Sequence, residues 1–470
     1  MRRLKVLLIK PYSQADELIP PVGLGYLATA LRANHEVKII DGLKDRLTTE
    51  DLTALLKTEQ PDCCCFQVFT FQIPIVKEYL NIARHLLPQA TLILGGPHPS
   101  ANADNIFNLF PTADFAFKGE AEIGLARLLD LLAEAQTADQ TLAGVPGLIW
   151  RSGGQTAVNE QNFVMNLDDL GLPAWDLIRP DTYPLAPHGG FFKNYPIAPI
   201  IITRGCPYNC TYCAGYLIGG HRLRFRSADN VMSEIKLLYN NYGIREIHIE
   251  DDNFTFNKNF VKEFCQKLKD SRLGITWTCP NGVRLDSLDE EILLTMKDAG
   301  LYSISVGVES GSDKILRDMK KSLTVQTIKD KIALIKRCGL EVVGFFIIGY
   351  PTDTRQTIKE TIRLACSLPL KRAGFSLFKP FPGTAIANEL ILKGDIQPMS
   401  EEAWAKFILA DAVYAPPGFT LPDMKRWRQR AIISFYLRPK IIWQFLSEIK
   451  NFNHLKLVLK RIYSWLLRAK

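Results

Sequence analysis

Three cysteines near the middle of the chain have the type and spacing of cluster ligands. Cys206, Cys210 and Cys213 form a Cys-x3-Cys-x2-Cys pattern directly after a short apolar run. Three thiolates in one tight loop can hold three corners of a 4Fe–4S cluster, and Gly205 lets the backbone turn closely around it. The fourth iron is then open to a non-protein ligand, which indicates catalysis rather than a structural role. The alternatives are a zinc loop with His221 as its fourth ligand, or three unrelated thiols.

The cysteine pattern resembles the signature of the radical S-adenosylmethionine superfamily, in which an aromatic residue, here Tyr212, precedes the last cysteine. The resemblance covers about residues 198–390. It implies that the open iron binds the amino and carboxylate groups of S-adenosylmethionine. One electron then breaks the sulfonium bond, and a 5′-deoxyadenosyl radical abstracts a hydrogen atom from the substrate. The resemblance also implies a reducing partner such as flavodoxin or ferredoxin.

Further candidate residues follow later predicted strands, at the end where a barrel places its site. The resemblance implies that the acidic run after the second strand contacts the methionine amino group. It also implies that the pair after the fourth strand faces the ribose or the amino acid, and that an apolar edge after the fifth suits adenine. For the acidic run, a solvated loop is the alternative. These candidate S-adenosylmethionine contacts are Glu250, Asp251, Asp252, Glu309, Ser310 and Gly349.

Predicted strands and helices alternate along the chain, and these elements position the candidate residues. The alternation predicts an α/β protein. Five apolar strands in residues 1–140 predict a doubly wound, flavodoxin-like parallel sheet. Six more strands in residues 198–390 predict a partial (β/α)6 TIM-like barrel or a full one. The predicted strands are Val6–Ile9, Glu36–Ile40, Cys63–Val68, Thr91–Leu94 and Phe115–Phe117, then Ile200–Thr203, Glu246–Glu250, Thr276–Thr278, Ser303–Val308, Val342–Ile348 and Gly374–Phe378.

The remaining segments are a connector and a tail. Residues 141–197 contain a predicted hairpin at 147–158 and then several prolines, which disfavour regular elements. Residues 391–470 are predicted to be a helical C-terminal region. In the first domain, Cys63, Cys64 and Cys65 would alternate between the faces of a strand, so we interpret them as small buried apolar residues rather than as one metal site.

A doubly wound domain ahead of a radical barrel resembles the cobalamin-binding class of the superfamily. The branch is the one with anaerobic magnesium-protoporphyrin IX monomethyl ester cyclases and carbon methyltransferases. Matching stretches are 20–27, 95–98 and 118–122. The resemblance implies a cobalamin-binding domain over residues 1–140, and the candidate contacts are Gly95, Gly96, His98, Gly119 and Glu120.

One departure concerns the cobalt ligand. The Asp-x-His-x-x-Gly motif, whose histidine binds cobalt in many cobalamin domains, is absent. We therefore expect cobalamin to bind without a protein histidine on cobalt, and we expect His98 to form a hydrogen bond near the corrin tail. The alternative is a domain that has lost cobalamin and only supports the barrel.

Cobalamin beside a radical generator implies methyl transfer to an unactivated carbon of a small-molecule substrate. The substrate radical would take a methyl group from methylcobalamin, and a second S-adenosylmethionine would remethylate the cobalt. Three alternatives stay open. They are oxidative ring closure of the cyclase type, another radical rearrangement, and a non-catalytic iron–sulfur or electron-transfer protein. The carboxylates at 250–252 and 309 argue against the last, because a carrier needs no substrate pocket.

Charge and hydropathy bear on location and partners. The N-terminal apolar run is too short for a signal peptide, and no segment approaches the roughly 20 apolar residues of a membrane span, so we expect a cytoplasmic protein. The net charge is +8. It is concentrated in residues 423–470, and no basic patch for nucleic acid stands out elsewhere.

Basic helices with aromatic residues can lie on anionic membranes. The alternative is a helical cap packed on the barrel. We favour the cap for residues 423–448, and for residues 450–470 both the cap and membrane contact stay open. Membrane contact would suggest an apolar or lipid-like substrate.

Overall fold

The computed structural model describes residues 2–13, 18–184, 192–397, 399, 401–407 and 411–447. The first part of the chain builds one sheet of seven strands. They are β1 (Lys5–Lys10), β2 (Glu36–Asp41), β3 (Cys63–Gln67), β4 (Thr91–Gly95), β5 (Phe115–Phe117), β6 (Leu148–Ser152) and β7 (Gln155–Val158). Their order is β2-β1-β3-β4-β5-β6-β7, and the first five are parallel. This confirms the flavodoxin-like arrangement.

Helices cover both faces of this sheet. The first cluster of buried apolar residues includes side chains from helices at 49–59, 73–86 and 106–109, and the second includes side chains from helices at 22–31 and 122–133. Cys64 belongs to the first cluster, whereas Cys63 and Cys65 belong to the second, as the alternation of a strand requires. The helices of this part are α1 (Val22–Leu31), α2 (Thr49–Glu59), α3 (Ile73–Leu86), α4 (Pro97–Ala101), α5 (Ile106–Leu109), α6 (Glu122–Ala133), α7 (Asp139–Leu142) and α8 (Trp175–Ile178).

The hairpin at 147–158 corrects one part of the predicted organisation. We predicted it within a connector, but it belongs to the first sheet, where β6 pairs with β5 in antiparallel fashion. The physical reason is the edge of β5, whose backbone groups would otherwise lack partners. Leu148, Ile149 and Trp150 are buried there.

Six parallel strands form the second sheet. They are β8 (Ile197–Ile200), β11 (Glu246–Ile249), β12 (Thr276–Val283), β13 (Leu301–Glu309), β14 (Glu341–Ile348) and β15 (Arg372–Leu377), in the order β15-β14-β13-β12-β11-β8. Because β8 and β15 do not pair with each other, the barrel is partial. A separate ribbon joins β9 (Thr203–Arg204) to β10 (Arg224–Phe225).

The first barrel strand differs from its predicted range. We predicted Ile200–Thr203, but β8 ends at Ile200. The amides of Ile202 and Thr203 donate instead to the carboxylate of Asp251, at 2.8 and 2.9 Å. A side chain therefore ends the ladder and redirects the chain into the cysteine loop.

Helices surround the second sheet, and one of them covers its open edge. This helix is α18 (Leu421–Tyr436). Its Tyr436 hydroxyl donates to the carbonyl oxygen of Ala373 at 2.8 Å, and its Arg428 Nε donates to the carbonyl oxygen of Phe375 at 2.9 Å. The tail thus supplies partners to the unpaired edge of β15. The helices are α9 (Tyr216–Gly219), α10 (Ala228–Tyr242), α11 (Lys258–Asp270), α12 (Glu290–Asp298), α13 (Asp313–Asp318), α14 (Val325–Arg337), α15 (Arg355–Ser367), α16 (Ala385–Leu392), α17 (Glu401–Ala405), α18 (Leu421–Tyr436) and α19 (Pro439–Ser447).

Part of the first domain packs into the hydrophobic core of the barrel. Val22 and Tyr26 of α1 and Trp175 of α8 pack in the same buried cluster as the barrel strands. Trp175 also donates its indole N–H to the buried Glu234 of α10 at 2.8 Å. These buried contacts hold the first domain against the barrel. Loops from both can therefore contribute to one site.

Candidate functional site

The cysteine loop leaves β9 through a tight turn. Gly205 has φ +93, and a Cβ there would lie 2.3 Å from the Arg222 carbonyl oxygen. Only glycine fits this conformation and this spacing. The Cys206 amide then donates to the Gly220 carbonyl at 3.1 Å, which closes the base of the loop. The turn predicted at Gly205 is therefore present.

The three thiols of the loop are partly buried. All three are free cysteines. Burial, with a smaller contribution from neighbouring negative charges, raises the pKa of Cys213 to about 11, and burial raises the pKa of Cys206. Thiols of this kind become thiolates when a cationic metal centre binds them.

The described residues are not arranged as a site for a single ion. Across the described ranges, no three His, Cys, Asp or Glu side chains lie close enough to share one metal ion. A 4Fe–4S cluster needs a wider arrangement, because each cysteine binds a different iron. His221, the alternative zinc ligand, instead stacks on Tyr216 with ring centroids 4.8 Å apart.

The acidic run after β11 divides into separate roles. Asp251 is buried and receives the two backbone amides that end β8, and its burial raises its pKa to about 7. Asp252 lies beside the loop, because a Cβ on Gly215 would be 3.3 Å from its Oδ2 and 3.5 Å from the Cys213 sulfur. Glu250 is half-buried at the strand end. Asp251 thus supports the loop, while Glu250 and Asp252 stay candidates for ligand contact.

Asn253 is a site residue that sequence reasoning missed. It is buried, and its side-chain N–H donates to the Cys206 sulfur at 2.8 Å. Hydrogen bonds to cysteine sulfur change the reduction potential of an iron–sulfur cluster. Its position directly after the acidic run was the available signal.

Glu309 ends β13 in a conformation that favours glycine, with φ +62. Its carboxylate pairs with the buried Lys321 at 2.8 Å, and Lys321 also donates to the Tyr212 hydroxyl at 3.3 Å. Burial opposes the charge of Lys321, but the pairing raises the lysine pKa. Burial and the Glu309 charge raise the pKa of Tyr212 well above its usual range. Sequence analysis predicted Glu309 and Tyr212 but not the lysine between them.

The other two candidates at these strand ends face protein. Ser310 is buried and lies 3.2 Å from the Thr361 hydroxyl of α15. Gly349 has φ +85, and a Cβ there would meet the Met424 sulfur of α18 at 2.7 Å. Both positions pack the barrel end against a helix. Their contact with S-adenosylmethionine stays a prediction.

The candidate residues of the first domain lie at the carboxyl ends of β4 and β5. Gly95 has open space above it, and Gly96 has φ +99. Gly119 also has positive φ, and its amide donates to the Ser100 hydroxyl at 2.9 Å. The open backbone at Gly95 suits close approach by a large ligand. Cβ atoms on Gly96 and Gly119 would instead meet Val68 at 3.3 Å and Gln161 at 2.0 Å.

His98 is fully buried in α4. Its Nδ1 lies 3.2 Å from the Thr70 hydroxyl, and its ring meets Trp404 of α17 at 5.7 Å. Within the described ranges its Nε2 has no hydrogen-bond partner. Burial lowers the His98 pKa to about 4, so the ring is neutral near pH 7. His98 thus contacts Thr70 within the protein. Its hydrogen bond near the corrin tail stays a prediction.

Glu120 has partners that we did not predict. Its carboxylate contacts the Arg224 guanidinium through both oxygens and lies 3.4 Å from Arg204. Arg204 also pairs with Glu122 at 2.8 Å and lies over the Tyr26 ring. These four charged residues, which we call the domain bridge, join the loop after β5 to both strands that flank the cysteine loop. The partners of Glu120 are therefore protein side chains of the second domain.

Comparisons with known proteins agree with this site. The chain matches the Radical SAM superfamily over residues 200–365 and the B12 binding domain over residues 13–129. Along its whole length it is 32% identical to an uncharacterized methyltransferase of Pyrococcus horikoshii, covering 99% of that protein. A hopanoid C-3 methylase of Methylococcus capsulatus is 26% identical, over 81% of this chain and 71% of that protein.

Other similar proteins include an enzyme of different activity and two solved structures. An anaerobic magnesium-protoporphyrin IX monomethyl ester cyclase of Cereibacter sphaeroides is 28% identical, over 79% of this chain and 60% of the cyclase. The cobalamin-dependent S-adenosylmethionine radical enzyme OxsB superposes with a TM-score of 0.75 at 15% identity, over 99% of this chain and 72% of OxsB. The methyltransferase TsrM of Kitasatospora setae has a TM-score of 0.70 at 20% identity, over 83% and 75%.

The chain therefore belongs to the family of radical S-adenosylmethionine enzymes with a B12-binding domain. This confirms the predicted family, the fold class and the predicted cofactors, which are a 4Fe–4S cluster, S-adenosylmethionine and cobalamin. In the described part of the chain, no helix is long and apolar enough to cross a membrane.

Proposed function

We propose that this protein transfers a methyl group to an unactivated carbon of a small molecule. The domain bridge is the observation that carries the proposal. It ties a strand-end loop of the B12-binding domain directly to the strands around the cysteine loop. A bridge at this place suits an enzyme whose two cofactors act on one substrate between them.

The cofactors supply the difficult chemistry, because the cluster delivers the electron that cleaves S-adenosylmethionine and cobalamin carries the methyl group. We assign three tasks to the protein. Cys206, Cys210 and Cys213 hold the cluster. Glu250 and Asp252 orient the amino group of S-adenosylmethionine, and Gly95 leaves room for the corrin.

The test follows the methyl group. The reconstituted protein is incubated without oxygen with S-adenosylmethionine deuterated in its methyl group, a reductant and an extract from a strain that lacks the gene. We expect 5′-deoxyadenosine and one extract compound that gains a deuterated methyl group. Formation of 5′-deoxyadenosine without labelled product would contradict methyl transfer while leaving the radical chemistry intact.

Oxidative cyclisation is the second candidate, and the similarity to the magnesium-protoporphyrin cyclase favours it. The two reactions differ in mass balance, because cyclisation removes hydrogen and adds no carbon. Incubation with magnesium-protoporphyrin IX monomethyl ester decides between them. We expect no change in this compound, and its conversion to a ring-closed product would favour the cyclase.

We also propose an apolar substrate reached near a membrane surface. Two large apolar side chains of the tail are exposed, Leu437 at 66% and Trp443 at 73%. Residues 450–470, to which the prediction of membrane contact applied most directly, lie outside the described residues. Flotation with anionic liposomes tests the idea, with Leu437→Lys/Trp443→Lys against Leu392→Lys, which changes another exposed leucine. We expect only the first variant to lose binding, and failure of the unchanged protein to float would contradict the proposal.

A further inference from the structure

A cavity of about 630 Å³ opens beside the cysteine loop. Residues 207–209 of the loop line one side, and residues of α13, α14 and the turn between them line the other. We call it the loop cavity. It lies close to the cluster ligands, because the Cys210 thiol is 3.9 Å from the carbonyl oxygen of Lys320, a lining residue. It therefore approaches the cluster position from the α13–α14 side.

The loop cavity is positively charged. Its lining includes Arg317 and Lys320 and no carboxylate. Both cations are exposed, and within the described ranges neither forms an ion pair. Two carboxylates of the same region have other partners, since Asp318 pairs with Lys314 at 2.7 Å and Asp286 with Arg284 at 2.8 Å.

A third cation, which is paired with a carboxylate, lies behind one wall of the cavity. The Arg284 guanidinium lies 3.5 Å from the centroid of the Tyr208 ring, directly behind the lining. The Arg284 side chain is 8% exposed, and its charge is shared with Asp286. A concave surface with cations of one sign attracts negatively charged partners and increases their association rate.

We propose that an acidic one-electron carrier protein docks at the loop cavity and reduces the cluster through Cys210. The inference rests on the proposed function, which requires one electron for each cleavage of S-adenosylmethionine. In the docked complex the reduced centre of the carrier loses one electron and the cluster gains it. No covalent bond forms or breaks in this step, and the carrier leaves in its oxidised form.

The experiment measures cluster reduction itself. The full chain is reconstituted with its cluster and mixed without oxygen with flavodoxin hydroquinone, an acidic carrier, and the cluster absorbance is followed by stopped flow. The variant is Arg317→Glu/Lys320→Glu. The control is Lys236→Glu/Lys359→Glu, which makes the same change of net charge at exposed positions on α10 and α15.

We expect the second-order rate constant of the cavity variant to fall at least about tenfold at low ionic strength, and the difference to shrink as salt is added. The control should stay close to the unchanged protein. Photoreduction by 5-deazariboflavin, a small uncharged donor, should be equally fast in all three.

Three results would overturn the proposal. The first is equal rates for the cavity variant and the unchanged protein. The second is an equal loss in the control, which would mean that net charge acts without a docking site. The third is slower photoreduction in the cavity variant, which would place the effect at the cluster. Iron content, measured before mixing, separates these from a missing cluster, which would overturn the proposed function as well.

Discussion

Replacing Glu120 with glutamine would remove the carboxylate that Arg224 contacts through both of its oxygens. The side chains of Arg224 and Glu120 are 1% and 8% exposed. Removal of one partner from a buried pair costs about 3–5 kcal/mol, because the other charge is left without compensation. Arg224 keeps hydrogen bonds to the Val164 and Gly219 carbonyls, and glutamine keeps one acceptor oxygen. We therefore expect a cost of about 3 kcal/mol, at the lower end of that range.

Hydrogen exchange can measure this cost locally, without global unfolding of a large protein. Peptides that cover residues 204–225 report on the base of the cysteine loop, where the Cys206 amide donates to the Gly220 carbonyl. A loss of about 3 kcal/mol corresponds to roughly 100-fold faster opening of this segment.

The matched control is Glu389→Gln, which breaks an exposed pair with Lys393. Exposed pairs contribute about 1 kcal/mol or less, so we expect little change anywhere in that variant. If exchange in residues 204–225 were the same in Glu120→Gln as in the unchanged protein, the domain bridge would not hold the cysteine loop.

Three further predictions concern the cofactor sites. Asn253→Ala removes the hydrogen bond to the Cys206 sulfur, so the reduction potential of the cluster should fall, by on the order of 50 mV in a redox titration; an unchanged potential would contradict the contact. Since burial lowers the His98 pKa from 6.5 to about 4, stability present above pH 6.5 should be lost as the pH falls to 4, by up to about 3 kcal/mol. In denaturant titrations His98→Gln should lack this part of the pH dependence, and an identical slope would refute the assignment. Finally, the cob(II)alamin spectrum should show no nitrogen hyperfine splitting from an axial histidine, and its presence would overturn the predicted mode of binding.

The cysteine loop could be predicted because its three ligands lie within eight residues of one another. Local spacing alone specifies that site. The strands could be predicted from apolar runs between Gly- and Pro-containing turns, although the end of β8 could not. That end depends on Asp251, a residue that follows a different strand. Its carboxylate replaces the ladder partners of Ile202 and Thr203.

Roles that depend on distant partners were not predictable in this way. Glu120 was correctly singled out as a strand-end residue, but its partner Arg224 is 104 positions away. Lys321 lies in no recognisable sequence motif. It becomes a site residue only because the folded chain brings it into an ion pair with Glu309. The hairpin at 147–158 was recognised, but whether it pairs with β5 depends on an edge that only the assembled sheet creates.

The central claim is that Cys206, Cys210 and Cys213 hold a cluster with one iron open to S-adenosylmethionine. Electron paramagnetic resonance of the reconstituted, reduced protein tests it most directly, with and without S-adenosylmethionine, beside the variant with all three cysteines changed to alanine. We predict one reduced 4Fe–4S signal that changes when S-adenosylmethionine is added and is lost in the triple variant. A signal that does not change when S-adenosylmethionine is added, or a triple variant that retains its full cluster, would contradict the claim.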